Sequence, residues 1–540
     1  MYKLCGKKIS NLFAIPSGTV ITAVSTLARF LREEGPAILI SKSIGIEPRK
    51  GNPTPIIAGR GKSSFINAVG LANPGVDEFL KQILTIEIPK NKVFIVSIFG
   101  KSLEEFTEIG RKLYPYVDGI EINISCPHSE ELTSIGQDKE LVSKITKSIV
   151  SFKKPVFVKI SPSMNDDDIK EIVKIAEASG AYGITATNTV GPELHLHDGF
   201  PVLSNQVGGI SGPEIQASTL RCIRLVREIT NLRIIGCGGF SDSKSVKKAL
   251  EAGANYVAIG SVLAGMNTEE IIRYFSALKE DLTQNTNQAV RFLKKDLMRY
   301  QKCSVVKVQS LVEDLFTLEL KENTGGIIKQ IKPGQFIFVW IPEVGEKPFS
   351  VYKNNPTTLL IQKRGCFTGK LSELKTGDNF YIRGPYGKSP EIDNGRTLLL
   401  VCGGTGVAIL PSFAEKYKTI ALIGVKDEQH LVDSNYLNSI CDRTYFIAEN
   451  SNSKIIHKGI VTNILEKVIR ENQIDVCISC GPEAMVRAVM KIQKKYFATD
   501  KTYGFIEYRT ECGIGLCGKC SNSKGNRSCV DGPALMRYQI

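Results

Sequence analysis

Four cysteines in the last thirty residues, Cys512, Cys517, Cys520 and Cys529, are ordered C-x4-C-x2-C, with eight residues between Cys520 and Cys529. Three thiolates on one tight loop and a fourth from a return segment is the plant-type ligand spacing of a [2Fe-2S] cluster. Gly513, Gly515 and Gly518 lie between the ligands, where a loop wrapping a cluster needs small residues with unusual backbone angles. A four-cysteine zinc knuckle is the competing reading. It ordinarily uses two C-x2-C pairs, and only Cys517–Cys520 is spaced that way. A [2Fe-2S] cluster moves electrons one at a time, so this reading requires an electron source elsewhere in the chain.

A second set of candidates lies in the first half. Asn123-Ile124-Ser125-Cys126-Pro127-His128 follows a strand pattern, with Cys126 just past its end. A lone cysteine there is ordinarily a buried apolar residue. Here it shares strand ends with Lys42, Lys159 and Asn188. Lysines at several strand ends fit an anionic ligand or a reduced flavin, which carries negative charge near N1. The loops Gly236-Cys237-Gly238-Gly239 and Gly260-Ser261 can cradle a phosphate with backbone amides. In the second half, Gly403-Gly404-Thr405-Gly406 follows an apolar strand and precedes a helical pattern, a place for a pyrophosphate. By itself such a loop is weak evidence, as is Lys347-Pro348-Phe349-Ser350, which on its own reads as a surface turn.

These residues must be positioned by several domains, because 540 residues exceed a single core. Residues 1–280 alternate short β-branched runs (Ala37–Ser41, Val93–Ile98, Gly119–Ile124, Val156–Ile160, Gly183–Thr187, Arg233–Gly236, Tyr256–Gly260) with amphipathic helices. In Asn165–Ser179, Asn165 can cap while Ile169, Ile172, Val173 and Ala176 form one stripe. The repetition predicts an α/β fold, a (β/α)8 TIM barrel with its site at the C-terminal strand ends, or an open doubly wound sheet as runner-up. Residues 281–302 read as a linker, 303–395 as a small antiparallel β-barrel, 396–502 as an α/β nucleotide-binding domain and 503–540 as the cysteine module. The pentapeptide Leu297–Gln301 recurs as Leu535–Gln539.

Composition narrows the class. The net charge of +14 comes from scattered Lys-rich faces, so a solvated surface is expected in place of a nucleic-acid site. No apolar run reaches a membrane span, the start lacks a signal-peptide profile, and fourteen cysteines are too dilute for a disulfide scaffold. A cytoplasmic protein without a membrane or nucleic-acid partner is expected.

Lys42–Pro55, Asn67–Leu71 with Asn73-Pro74-Gly75, and Asn123–Pro127 together resemble dihydroorotate dehydrogenase over nearly all of the first region. The resemblance implies FMN as cofactor and Cys126 as the base that deprotonates substrate C5. It implies orotate contacts at Lys42, Asn67, Ala68, Val69, Gly70, Leu71, Asn123, Asn188 and Thr189. Flavin contacts fall on Ser17, Lys42, Ser43, Asn123, Lys159, Gly212, Gly238, Gly239, Gly260 and Ser261. A cysteine base, in place of serine, places the chain with the soluble class. One departure is His128, where the family commonly has Asn. By the same resemblance the barrels pair, so a homodimer is expected.

Lys347–Ser350, Gly365-Cys366-Phe367-Thr368 and Gly384-Pro385-Tyr386-Gly387 resemble the flavin-binding pattern of ferredoxin reductase-like domains, with Lys347 replacing the usual Arg. This implies FAD contacts at Lys347, Pro348, Phe349, Ser350, Ile361, Gln362, Lys363, Phe367 and Thr368. Gly403, Gly404, Thr405 and Gly406, with Cys480, Gly481 and Pro482 at a later strand end, then match an NAD+ module. Glu507-Tyr508-Arg509, the cysteine cluster and Cys529–Pro533 resemble the electron-transfer subunit of the NAD-linked enzyme. The expectation is a fusion of two subunits, with electrons from dihydroorotate passing FMN, [2Fe-2S], FAD and NAD+. The alternatives are a dihydropyrimidine dehydrogenase-like enzyme, a non-NAD acceptor and, more distantly, a basic nucleic-acid-binding protein with degenerate cofactor sites.

Overall fold

A computed structural model of the chain describes residues 2–61, 63–124, 135–294, 297–323, 326–453, 456–506 and 508–540. Two compact units divide it. The first comprises Met1–Leu297 with Ile514–Ser521, the second Met298–Gly513 with Asn522–Ile540.

The first unit is built on a closed ring of eight parallel strands. They are β1 (Phe13–Ile15), β2 (Ile38–Ile40), β3 (Val93–Ile98), β4 (Gly119–Asn123), β5 (Val156–Ile160), β6 (Gly183–Ala186), β7 (Arg233–Cys237) and β8 (Tyr256–Ala258). Neighbours in sequence are neighbours in space, and β8 pairs back onto β1 through Val257↔Phe13 and Ala258↔Ala14. Ring closure selects the TIM barrel over the open sheet. Strands covered on both faces read as continuous apolar runs, and all six residues of β3 are buried. β1 has no counterpart among the strands expected from sequence.

The helices between strands are set by local chemistry. The Asn165 side chain accepts from Asp168 N at 2.8 Å and caps Asp166–Ala178, whose stripe Ile169, Ile172, Val173 and Ala176 is buried. Asn267 and Glu270 form a reciprocal capping box on Thr268–Gln284. That helix ends at Asn285 with φ +56°, and the buried Asp281 holds the following turn by accepting from Thr286 Oγ1, Gln288 N and Ala289 N. The helix therefore enters the segment expected to be linker. A four-stranded antiparallel sheet (Val190–Leu194, Val207–Ser211, Ser64–Asn67, Ile57–Gly61) grows from the loops after β2 and β6. Sequence periodicity had not indicated it.

The second unit holds two seven-stranded sheets. Gln301–Val312 through Asn379–Tyr386 form one antiparallel sheet over a core that includes Cys303, Leu318, Ile337, Val339, Leu359, Leu371 and Ile382. The other is parallel, ordered His457–Lys458, Arg443–Asn450, Lys418–Asp427, Thr397–Gly403, Val476–Gly481, Thr502–Ile506, with Ala534–Met536 added antiparallel at the edge. A fully buried ion pair locks the first sheet. Arg383 donates from Nε (2.6 Å) and Nη2 (2.5 Å) to Glu346, which also accepts from Tyr300 Oη at 2.8 Å. Its Nη1 donates to Cys512 O at 3.0 Å, and the guanidinium lies 4.0 Å from the centre of the Phe338 ring. The repeated pentapeptides diverge: Tyr300 is buried before a long strand, whereas Tyr538 is 60% exposed in the short 3-10 turn Arg537–Gln539. Among the described residues, no helix is long and apolar enough to cross a membrane.

Two measurements test these anchors. Glu346→Gln leaves a buried guanidinium without its counter-charge and is expected to cost about 3–5 kcal/mol in chemical denaturation. Burial raises the Asp281 carboxyl, but hydrogen bonds from Thr286, Ala289 and Gln288 outweigh it and hold the group below the usual carboxylate range. Its stabilisation is complete above the unfolded value near ~4 and is lost as pH falls through the lower folded value. Asp281→Asn is therefore expected to cost about 1–2 kcal/mol at neutral pH, with the gap to wild type closing in acid thermal scans.

Candidate functional site

The C-terminal ends of the barrel strands surround a cavity of about 1330 Å3, including its open mouth. Because parallel strands share one polarity, each strand delivers its last residues to the same rim. Lys42 and Ser43 follow β2, Asn123 ends β4, Lys159 is the penultimate residue of β5, Asn188 follows β6, and Gly238 and Gly239 follow β7. All of them line the cavity, together with Ser17, Asn67, Val69, Gly70, Leu71, Thr189, Gly212, Gly260 and Ser261. The structure thus gathers every described residue expected at the substrate and flavin sites except Ala68, which is buried behind the wall and donates its N–H to Ile56 O. Cys126 and His128 lie outside the described residues.

A polar chain crosses the cavity floor. Ser17 Oγ is 3.3 Å from Ser43 Oγ, which lies 2.9 Å from Ser97 Oγ and accepts from Asn123 Nδ2 at 3.1 Å. Asn188 Nδ2 donates to Asn123 Oδ1 at 3.4 Å, and Asn188 Oδ1 accepts from Thr189 N at 2.9 Å. These contacts fix which amide edge each asparagine shows. From the antiparallel sheet, Asn67 donates to Gly209 O at 3.1 Å. The turn after it includes Gly70 at φ +74° and Leu71 at φ +52°. Asn73 secures that turn by donating to Leu71 O at 2.8 Å and accepting from Gly75 N at 2.9 Å. Ser97 was missed in the sequence; its only signal is a hydroxyl at an inward position near the end of β3.

A glycine turn that could hold a phosphate also lines the cavity. Gly238 adopts φ +140°, and a Cβ there would lie 2.3 Å from Thr219 Oγ1; Gly239 at φ +80° would meet Gln216. Gln216 begins the helix Gln216–Ile229 and ties the loop by donating from Nε2 to Gly239 O at 2.8 Å. A glycine turn against a helix N-terminus offers backbone amides to an anion. Below the floor, Lys159 Nζ is 3.8 Å from Glu121 Oε1, both side chains nearly completely buried. Burial pushes the Cys237 thiol up to about 11, with Lys159 lowering it and Glu121 raising it, so this thiol is neutral at ordinary pH. Lysines, amides and an amide-lined glycine turn in one cavity match the needs of a phosphorylated flavin beside an anionic substrate.

In the second unit a cavity is lined by Gly403, Gly404, Thr405 and Pro482, with Asp427 and Glu449 at neighbouring strand ends. A Cβ on Gly406 would lie 2.3 Å from Cys480 O, so the glycine loop packs directly on the end of the next strand. The loop leads into a 3-10 turn, Gly404–Ile409, before the short helix Leu410–Ala414. Of the residues expected at FAD, Gln362 lines this cavity. Lys347, Pro348 and Phe349 are on an outer strand, Phe349 stacks with Phe367 at 6.3 Å, and Thr368 Oγ1 accepts from Arg364 N at 2.9 Å. Ile361 is in the sheet core, while Ser350 and Lys363 follow strands.

Cys512, Cys517, Cys520 and Cys529 are all buried. Gly513, Gly515 and Gly518 have φ of +79°, +74° and +69°, the left-handed turns expected between the ligands. Among the described residues, no group of three or more His, Cys, Asp or Glu side chains is placed to hold a metal ion.

Comparison with known proteins bears on the barrel. The family model described as dihydroorotate dehydrogenase matches residues 1–282. The catalytic subunit of dihydroorotate dehydrogenase B (NAD(+)) from Thermoplasma volcanium is 41% identical over 264 residues, covering 48% of this chain and 85% of the relative. The same subunit from Pyrococcus horikoshii is 36% identical over 301 residues, covering 54% and 92%. A solved NADH-dependent reduced ferredoxin-NADP oxidoreductase is 26% identical over 44% of this chain and 88% of that one; its TM-score of 0.40 is too low to bear on the fold. A family match over the whole barrel, with relatives covered along most of their length, means that the chain belongs to the dihydroorotate dehydrogenase family.

Proposed function

We propose that the chain oxidises dihydroorotate to orotate in de novo pyrimidine synthesis and that its second half delivers the electrons to NAD+. The observation that carries this reading is the convergence of Lys42, Asn67, Asn123 and Asn188 with the Gly238-Gly239 turn in one barrel cavity. The reaction removes a proton from C5 and a hydride from C6. Lys42 pairs with the substrate carboxylate. The amides of Asn67, Asn123 and Asn188 read the carbonyl and N–H edge of the ring, held in orientation by the chain through Ser43. Cys126, by its place in the family motif, takes the C5 proton as a thiolate. When bound, FMN supplies a hydride acceptor for C6, and a [2Fe-2S] cluster with FAD supplies a path from there to NAD+. Lys159 and the Gly212, Gly238, Gly239 and Gly260-Ser261 turns hold the flavin's ring and phosphate.

The second half is read as the electron-transfer subunit fused to the barrel. Cys512, Cys517, Cys520 and Cys529 hold the cluster, supported by their spacing and the left-handed glycines between them. Residues 303–395 take FAD and 396–502 take NAD+, supported by the cavity at Gly403–Thr405. A cytoplasmic homodimer paired through the barrel completes the reading.

Anaerobic titration with dihydroorotate and then NAD+, followed by flavin and cluster absorbance, tests the whole scheme. Bleaching by dihydroorotate and recovery with NAD+ are expected, and dihydrouracil is expected to be inert because it has no carboxylate for Lys42. Cys126→Ala is expected to lower dihydroorotate oxidation by about 100- to 10,000-fold with FMN retained; wild-type turnover would remove Cys126 as the base. Cys517→Ser is expected to stop NAD+ reduction while sparing reduction of a dye, and equal survival of both activities would reject the relay. Gly238→Ala introduces about 1–3 kcal/mol of strain, so FMN retention, read from flavin-to-protein absorbance, is expected to weaken roughly tenfold or more.

A further inference from the structure

Glu121 has no part in the scheme above, yet its position is unusual. It lies on β4 two residues before Asn123, whose register partner is Lys159 on β5. Its side chain is 1% exposed, and neither carboxylate oxygen has a hydrogen-bond partner. A buried carboxylate without hydrogen bonds is destabilising unless a charge compensates it. Lys159 Nζ, 3.8 Å from Oε1, supplies that charge. Lys159 lines the cavity and Glu121 does not. The ammonium therefore sits between a fixed negative charge beneath it and whatever occupies the cavity above.

Such an arrangement has an electrostatic consequence. In a low-dielectric barrel interior the carboxylate cancels part of the field that Lys159 projects into the cavity. It also tethers the ammonium to β4, whose last residue, Asn123, pairs in register with Lys159. The neighbouring Cys237 thiol is held neutral by burial and adds no competing charge. A cavity ligand that gains negative charge on reduction will feel Lys159 less than it would without Glu121.

We propose that Glu121 is a positioning residue that acts through Lys159, holding the ammonium at the cavity and offsetting part of its charge, so that the pair sets the flavin's reduction potential. This rests on reading the cavity as the FMN site. Removing the carboxylate charge strengthens the field on the reduced flavin and raises its potential.

The test uses the purified full-length protein in a spectroelectrochemical titration, taking as the barrel flavin the transition that added orotate perturbs. In Glu121→Gln the midpoint is expected to rise by at least a tenfold change in the oxidised-to-reduced ratio, about 30 mV for two electrons. Glu121→Asp, which keeps the charge, is expected to remain near wild type. An unchanged or lowered midpoint in Glu121→Gln overturns the inference. A flavin-free arm compares thermal midpoints after flavin removal. Lys159→Gln strands a buried carboxylate and is expected to lower the midpoint, while Lys159→Gln with Glu121→Gln restores it toward wild type. A double variant no more stable than Lys159→Gln overturns the coupling, even if Glu121→Gln alone fails to fold. Wild-type protein without FMN would overturn the flavin reading, and the flavin-free arm would still decide whether the two side chains act as a pair.

Discussion

The parallel pairing of β8 with β1 is the contact on which the catalytic half depends. Two residue pairs, Val257↔Phe13 and Ala258↔Ala14, turn a row of strands into a ring. Without them the sheet has two edges, and strand ends far apart in the row cannot face one another. With them, Ser17, Lys42, Asn123, Lys159, Asn188, Gly238 and Gly260 surround one cavity although they are spread over more than two hundred residues. Closure also seals an interior in which Glu121 and Lys159 face each other away from water.

Charge inside that interior and charge at Arg383 illustrate one physical rule with different outcomes. Arg383 and Glu346 satisfy each other in a bidentate pair with Tyr300 and the Cys512 carbonyl as further partners, so the charges are fully absorbed by structure. Glu121 meets Lys159 at a longer distance and has no hydrogen bond of its own. The first pair stabilises a sheet. The second leaves polarity directed toward a cavity, as sites that stabilise developing charge require.

The cavity's remaining walls come from elements that look incidental in the chain. Asn67 reaches the site from an antiparallel sheet made of two long barrel loops, and its orientation depends on Gly209 from the other loop. Leu71 accepts a left-handed conformation because Asn73 hydrogen-bonds across the turn. Backbone strain is here tied to local side-chain bonds, which lets a loop be as well placed as a strand.

Local chemistry was legible in the sequence. Asn165 announced its cap and its stripe, and the glycines beside Gly238 and Gly404 announced tight turns, because each signal spans only a few residues. Tertiary structure decided what no short window contains: the closure of β8 onto β1, the antiparallel sheet from two distant loops, and the placement of Ser97 and Glu121. The pentapeptide shared by Leu297–Gln301 and Leu535–Gln539 makes the division concrete. One sequence buries its tyrosine against Glu346 and leads into a long strand, and the other exposes it on a short turn. Residue types and their spacing determined which chemistry was available to this protein. The long-range pairing of strands decided where it assembles, since only burial against distant partners distinguishes identical local sequences.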